Sequence, residues 1–504
     1  MKNILTNNKI ESVLRILSGT VGLIFLFFGL GFLIMPEIFS MMVLAIETRA
    51  VGINSLRGDF GALFLGMSFF CLLGAVSAFR QLLFVPIVFL TLLITGRLIS
   101  FNVDGLPVVM IRGLVSEIIF LSILILTIVS FLIKPGSPGM MIQLTKAFRY
   151  RLLAVFGIAA LIVYGSLMMQ QKIGSALWDR VLASRIQQNT ISDLPDGLHV
   201  GLAGTGSPLP DAKRVGVCTF VKAGTHMFIV DTGPGSTHSL ELMRVPLQNV
   251  DAVLFTHFHS DHISDLGEFL LKAWAGGARK KPMKVIGPKG VDRVVSGFNT
   301  AFSLDAEYRY AHHGDAVAPR EGTGGVADTI VFPEKKNNVV IFDHDGVKIT
   351  AFIVDHRPVK PSVGYRFDYK GRSLVISGDT LPNEELRQQA QGVDLLLHEA
   401  LQPNMLITIN RAGNESGQSV IAAVAKDILT YHTFPEEAAR IAHAADVRYL
   451  VLHHIIPPMP MNFLNSAFLG DSRKYYKGPI TVGEDGMLFS MPPNSTKIIK
   501  KWIF

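Results

Sequence analysis

The chain of 504 residues is too long for one ordinary domain, and its composition is lopsided: 49% hydrophobic, 17% charged, with a formal net charge of +7. Of 47 Lys+Arg and 40 Asp+Glu, 13 and 6 precede residue 176, so the whole surplus lies there and the remainder balances at 34 of each. All 15 histidines come later, which separates imidazole chemistry from the basic region, and two cysteines exclude a disulfide scaffold.

Apolar runs at about 16–35, 58–79, 82–101, 113–133 and 152–169 are each near the length that crosses the hydrocarbon as helix, so five spans are expected. The first ends in Met35-Pro36-Glu37 without a small-residue cleavage site and reads as a retained span, not a signal. Under this count Lys2, Lys9, Arg15, Arg80, Lys134, Lys146, Arg149 and Arg151 share one side, which the positive-inside rule makes cytoplasmic. An odd number of spans then puts everything after about residue 172 outside the cytoplasm. Arg49, Arg57, Arg97 and Arg112 weaken the contrast, and one span more or fewer reverses it. The expectation is a multi-pass protein of the cell inner membrane with an extracytoplasmic catalytic domain.

Arg57, Asp59, Arg97, Arg112 and Glu117 stand at span ends near one face. Charges within membranes are costly and usually paired, so they read as an ion-pair cluster holding helices together, with a headgroup or substrate site as the alternative. The strings Leu56-Arg-Gly-Asp-Phe-Gly61 and Thr95-Gly-Arg97, with Asp104-Gly105, make residues 1–134 resemble a DoxX-like four-helix membrane domain. That likeness implies no activity. Residues 135–175 form a connector carrying the fifth span, and Cys71 and Cys218 read as core.

From 176 to 504 strand-like and helix-like segments alternate, as in an α/β protein. Expected strands are Leu198–Ala203, Cys218–Val221, Met227–Val230, Ala252–Phe255, Lys284–Ile286, Val347–Val354, Ser373–Ile376, Val393–Leu397 and Tyr449–Leu452. A helix is expected from Pro435, with Thr433 as N-cap and Glu436 completing a capping box. The stretch 305–345, polar and rich in Gly, has few regular signals and reads as a mobile flap over a site.

The sharpest signal is Thr256-His257-Phe258-His259-Ser260-Asp261-His262, directly after the apolar run Ala252-Val-Leu-Phe255. Zinc takes neutral imidazole and carboxylate, and alternate positions of an extended chain point to one side, so His257 and His259 can share an ion. Asp261 and His262 remain for a second. Further ligands should stand where strands end: His356 after Ala351-Phe-Ile-Val-Asp355, Asp379 after Leu374-Val-Ile-Ser-Gly378, and His454 after Leu450-Val-Leu-His453, with His453 as the alternative to His454. Asp379 has two oxygens and can bridge two cations.

Asp231 in Ile-Val-Asp-Thr-Gly-Pro-Gly235, the HxHxDH string, His356 before Gly364-Tyr-Arg-Phe367, Gly378-Asp379-Thr380 and His454 resemble, in order, the metal motifs of the metallo-β-lactamase superfamily. Within it, Gly204-Thr-Gly-Ser-Pro208, His398-Glu399-Ala400 and Tyr431-His432-Thr433 look like the branch holding RNase Z and arylsulfatase-like or phosphodiesterase-like hydrolases. The implied fold for residues 176–504 is a four-layer αββα sandwich. The implied cofactors are two Zn²⁺, other divalent transition metals being admissible: His257, His259 and His356 on one, Asp261, His262 and His454 on the other, Asp379 between. Two zinc ions sharing a hydroxide bring its pKa near neutrality and neutralise charge on the reacting group. The resemblance also implies that Asp261 steers the nucleophile and that His432, oriented by Glu399, protonates the leaving oxygen; a supporting or helix-capping role is the alternative for His432. Asp231 and His398 read as supports behind the ligands, Gly204-Thr-Gly206 as a tight turn, His312-His313 as surface, and Trp274 as core or substrate wall.

Two departures bear on substrate. RNase Z enzymes often carry a long tRNA-gripping arm between the GYR and GDT strings, whereas here only Asp368–Ser377 separate Phe367 from Gly378. The balanced charge of the soluble part also lacks the basic surplus a polyanion wants. The expected function is a membrane-anchored dinuclear zinc hydrolase cleaving a small or amphiphilic ester, phosphodiester or sulfate ester favoured. The alternatives are an RNase Z-type tRNA 3′-processing endonuclease and a non-catalytic membrane sensor with a zinc-binding ligand domain. Expected partners are a small-molecule or lipid-like ester and the membrane, with a homo-oligomer allowed and nucleic acid disfavoured.

Overall fold

A computed structural model describes residues 8–34, 60–76, 80–104, 108–132 and 193–503, with Ser175, Trp178 and Ile191 besides. The chain divides into two compact units, Met1–Val181 and Leu182–Phe504.

In the first unit the described helices are α1 (Asn8–Ile34), α2 (Ala62–Val76), α3 (Phe84–Asp104) and α4 (Val108–Leu132). Val21, Phe25, Met67, Cys71, Leu90, Leu124 and Ile128 form their shared core, while Ile16, Leu23, Phe27 and Leu30 of α1 face outward. Among the described residues only Ser12–Leu33 is long and apolar enough to cross a membrane; the apolar stretches in α2 to α4 are shorter. The expected span at 152–169 and the charges Arg57 and Asp59 lie outside the described residues, as do the side chains of Arg97 and Arg112.

The second unit holds two sheets. One has strand order β15-β14-β1-β2-β3-β4-β5-β6 and the other β13-β12-β11-β10-β9-β8-β7. The first is built from β1 (Leu198–Gly204), β2 (Cys218–Ala223), β3 (His226–Val230), β4 (Ala252–Leu254), β5 (Met283–Gly287), β6 (Gly325–Thr329), β14 (Met487–Met491) and β15 (Ile499–Trp502). The second is built from β7 (Asn338–His344), β8 (Val347–His356), β9 (Val359–Tyr369), β10 (Arg372–Ile376), β11 (Leu395–Leu401), β12 (Tyr449–Ile456) and β13 (Ile480–Val482). Strand periodicity sorts the side chains: Val221 and Ala223 of β2 enter the core between the sheets, and Cys218 and Phe220 the outer one. That outer core is closed by α5 (Ser236–Leu242), α6 (Leu266–Ala275) and α7 (Val291–Ala301). On the other sheet α9 (Glu384–Gln389) and α10 (Pro435–Ala444) do the same, which completes a helix–sheet–sheet–helix sandwich.

Two expectations change and one left open is decided. The stretch 305–345 is not a flap: it contains most of α8 (Ser303–His313), β6 and β7. No residue of α8 is buried, so it has no apolar period, and β6 and β7 are sheet edges. Trp274 is core, its indole N–H donating to the Pro319 carbonyl at 2.7 Å. The α10 cap lies one residue later than expected: the Glu437 carboxylate accepts from the Phe434 N–H at 2.9 Å, and Thr433 instead donates its hydroxyl proton to the Thr380 carbonyl.

Candidate metal centre

Because β9 runs antiparallel to both β8 and β10, while β10, β11 and β12 are mutually parallel, the C-terminal ends of β8, β10, β11 and β12 share one edge. They deliver His356, Asp379, Glu399 and His454. The parallel strands β3 and β4 of the other sheet deliver Asp231 and the loop 256–262. The two edges are stitched by Val363 N–H donating to Thr256 O at 3.0 Å and Tyr365 O–H donating to Phe255 O at 2.5 Å. Gly378 sits in this seam at φ +61°, where a Cβ would lie 2.6 Å from the Val363 carbonyl oxygen, so only glycine fits. Two irregularities aim the ligands: pairing in β8 skips between Val354 and His356, and His454, at φ +48°, is the residue omitted where His453 and Ile455 pair with Glu399 and Ala400. Bulges of this kind turn a side chain toward a site.

The donor atoms of His257, His259 and His356 lie within 4.8 Å of one another, as do those of Asp261, His262 and His454. His257 Nε2 and His356 Nε2 stand 3.0 and 3.4 Å from His259 Nδ1, and the tetrahedral spacing for zinc–nitrogen bonds is about 3.3 Å. Asp379 Oδ2 lies between the triads, 3.4 Å from His262 and His454 Nε2 and 3.9 Å from His257 and His356 Nε2. All seven gather where the two edges meet; six are buried and His259 is exposed. Of the two neighbouring histidines, His454 joins the group; both ring nitrogens of His453 are buried without partners.

Supporting bonds fix the rings. Asp231 accepts from the Thr256 N–H and hydroxyl, each at 2.8 Å, and from His262 Nδ1 at 2.9 Å. His262 Nε2 therefore presents a lone pair, buried without a hydrogen-bond partner and 3.4 Å from oxygens of Asp261 and Asp379. A lone pair facing anions fits a cation, so these residues suit a metal. Burial opposes a positive charge on His262, yet Asp379, Asp261 and Asp231 together lift its pKa well above the imidazole range, the mark of a place that attracts a cation. For His257 burial prevails and the pKa falls. His356 Nδ1 donates to the Tyr431 carbonyl at 3.1 Å, leaving Nε2 for coordination.

His432 Nδ1 meets Glu399 Oε1 at 3.1 Å, and the same oxygen accepts from the N–H groups of Thr380 and Thr433. The His432 ring lies 5.3 Å from that of His356 and 5.6 Å from that of His454. Burial works against a charge on His432, but Glu399 outweighs it and raises the pKa. His398 joins neither triad: it is buried, with Nδ1 donating to the Glu399 carbonyl at 2.7 Å. Sequence reasoning missed the Thr256 hydroxyl and the Tyr431 carbonyl; Thr256, immediately before the HxHxDH string, was the available signal.

A β-lactamase superfamily domain model matches residues 226–455. The chain is 37% identical over 268 residues to Ribonuclease Z of Mycobacterium sp. (strain KMS), covering 52% of this chain and 85% of that protein. It is 38% identical over 267 residues to Ribonuclease Z of Mycobacterium bovis (strain BCG / Pasteur 1173P2), covering 52% and 86%. Among solved structures, human tRNase Z, short form, is similar at 20% identity and TM-score 0.42, over 58% of this chain and 99% of that one. The metallo-beta-lactamase fold protein YhfI from Bacillus subtilis is similar at 18% and 0.42, over 58% and 100%. The chain belongs to the metallo-β-lactamase superfamily. It is a metal-dependent hydrolase acting on ester bonds.

Proposed function

We propose that this chain is a phosphodiesterase of RNase Z type, cutting RNA beside its 3′ end, tethered to a membrane by its N-terminal helices with the catalytic unit on the cytoplasmic side. The observation that carries it is the Glu399–His432 pair beside two three-donor groups joined by Asp379, within a region 37% identical to proteins named Ribonuclease Z. His257, His259 and His356 would hold one metal, Asp261, His262 and His454 a second, and Asp379 both. Bound metal supplies an activated water and neutralises charge building on the phosphoryl group. His432, kept protonated by Glu399, gives a proton to the departing ribose oxygen, and Asp261 orients the attacking water.

One observation favours a second reading, a small or amphiphilic ester. Tyr369 pairs directly with Arg372, so β9 and β10 are joined by a two-residue turn where a tRNA-gripping arm would stand.

The test is purified full chain, assayed for metal and for cleavage of a model tRNA precursor. Two transition-metal ions per chain and a single cut at the 3′ trailer are expected. Metal-loaded protein that leaves the precursor intact but splits an alkyl phosphodiester or aryl sulfate would replace this reading with the second.

A further inference from the structure

The edge strand β15 closes a segment of unusual composition. Residues 486–504 contain no Asp or Glu, while Lys497, Lys500 and Lys501 crowd its end among Ile498, Ile499, Trp502, Ile503 and Phe504. All four residues of β15 are exposed, Ile499 at 41% and Trp502 at 43%, with Lys500 Nζ 5.0 Å from the Trp502 ring centroid. Lysines alone would be an ordinary guard against edge-to-edge pairing. Exposed Ile499 and Trp502 defeat that purpose, because they return to the edge the apolar surface the lysines would repel. Cations interleaved with an indole and a branched aliphatic chain instead match the headgroup layer of a bilayer, where Trp settles and Lys snorkels to phosphate.

We propose that β15 docks edge-on on an anionic bilayer surface, with Lys500 and Trp502 to one side of the edge and Ile499 and Lys501 to the other; the proposal rests on the membrane-tether reading above. The tether supplies proximity and β15 sets the orientation, so docking is effectively intramolecular.

The test uses full chain with Thr496→Cys, an exposed position beside the strand, labelled with an environment-sensitive fluorophore; native Cys71 and Cys218 are both buried. The protein is reconstituted into phosphatidylcholine vesicles with or without phosphatidylglycerol, both doped with spin-labelled lipid. Quenching that requires phosphatidylglycerol is expected. The double variant Lys500→Gln/Lys501→Gln should lower the docked-to-undocked ratio about 30-fold, each lysine near an anionic surface contributing about fivefold. Protein that resists carbonate extraction yet shows no quenching overturns docking while leaving the tether. Protein stripped by carbonate but quenched overturns the tether and leaves docking; stripped and unquenched protein overturns both. Disulfide-linked dimers of the unlabelled cysteine variant, or a probe responding to single-stranded RNA and not to lipid, would reassign the edge and overturn the proposal.

Discussion

His432 is held where two roles compete. Its donor nitrogens lie close enough to His356 and Asp379 to join a metal, and its Nδ1 is already committed to Glu399. The second fact favours proton donation, since a ring anchored at Nδ1 by a carboxylate keeps a proton for a leaving oxygen at Nε2. His432→Ala should then lower turnover about 10²–10⁴-fold on RNA and far less on an aryl phosphodiester, whose departing phenolate needs no proton. Metal content should not change. Equal losses on both substrates, or loss of metal, would make His432 a positioning or coordinating residue instead.

Loops between strands carry the fine aim of this centre, and one of them has its own titration. Asp485, between β13 and β14, accepts from the N–H and hydroxyl of Thr205 at 2.9 and 2.7 Å and from the Val215 N–H at 2.8 Å. The Thr205 carbonyl in turn accepts from Ile455 N–H, next to His454. Burial raises the Asp485 pKa to about 7 against those hydrogen bonds and Arg214. A folded pKa above the unfolded one means its stabilisation is complete below about pH 4 and is lost as pH rises to about 7, about 4 kcal/mol at most. Measured by thermal melts, the stability of wild type relative to Asp485→Asn should fall across that window and level off above it; a difference independent of pH would sink the assignment. Nothing in the sequence marked Asp485, because its environment is assembled from two loops far apart in the chain, β1–β2 and β13–β14. The same distinction governs the rest. Buried strands such as Leu395-Leu-Leu397 and the ligand string 257–262 were legible because local pattern and chemistry coincide there. Edge strands β6, β7 and β15 exist through pairing with a neighbour and carry little pattern of their own. The ligand at His454 rather than His453 depended on a bulge, which no alternation rule anticipates.

At the scale of the whole molecule, substrate and topology constrain each other. The five-span expectation places the catalytic unit outside the cytoplasm, yet its parity depends on segment 152–169, outside the described residues. Among the described residues one helix is long and apolar enough to cross a membrane. An RNA substrate requires the cytoplasmic side, and the negative surface potential of that leaflet is what the lysines of β15 would meet. Protease added to intact spheroplasts should therefore leave the Leu182–Phe504 unit uncut, and should release it only once the membrane is broken. Release from intact spheroplasts would restore the extracytoplasmic placement and remove RNA as substrate. The short β9–β10 turn and the balanced charge of residues 176–504 would then both be explained by a small ester, because neither an arm nor a basic groove is needed to hold one.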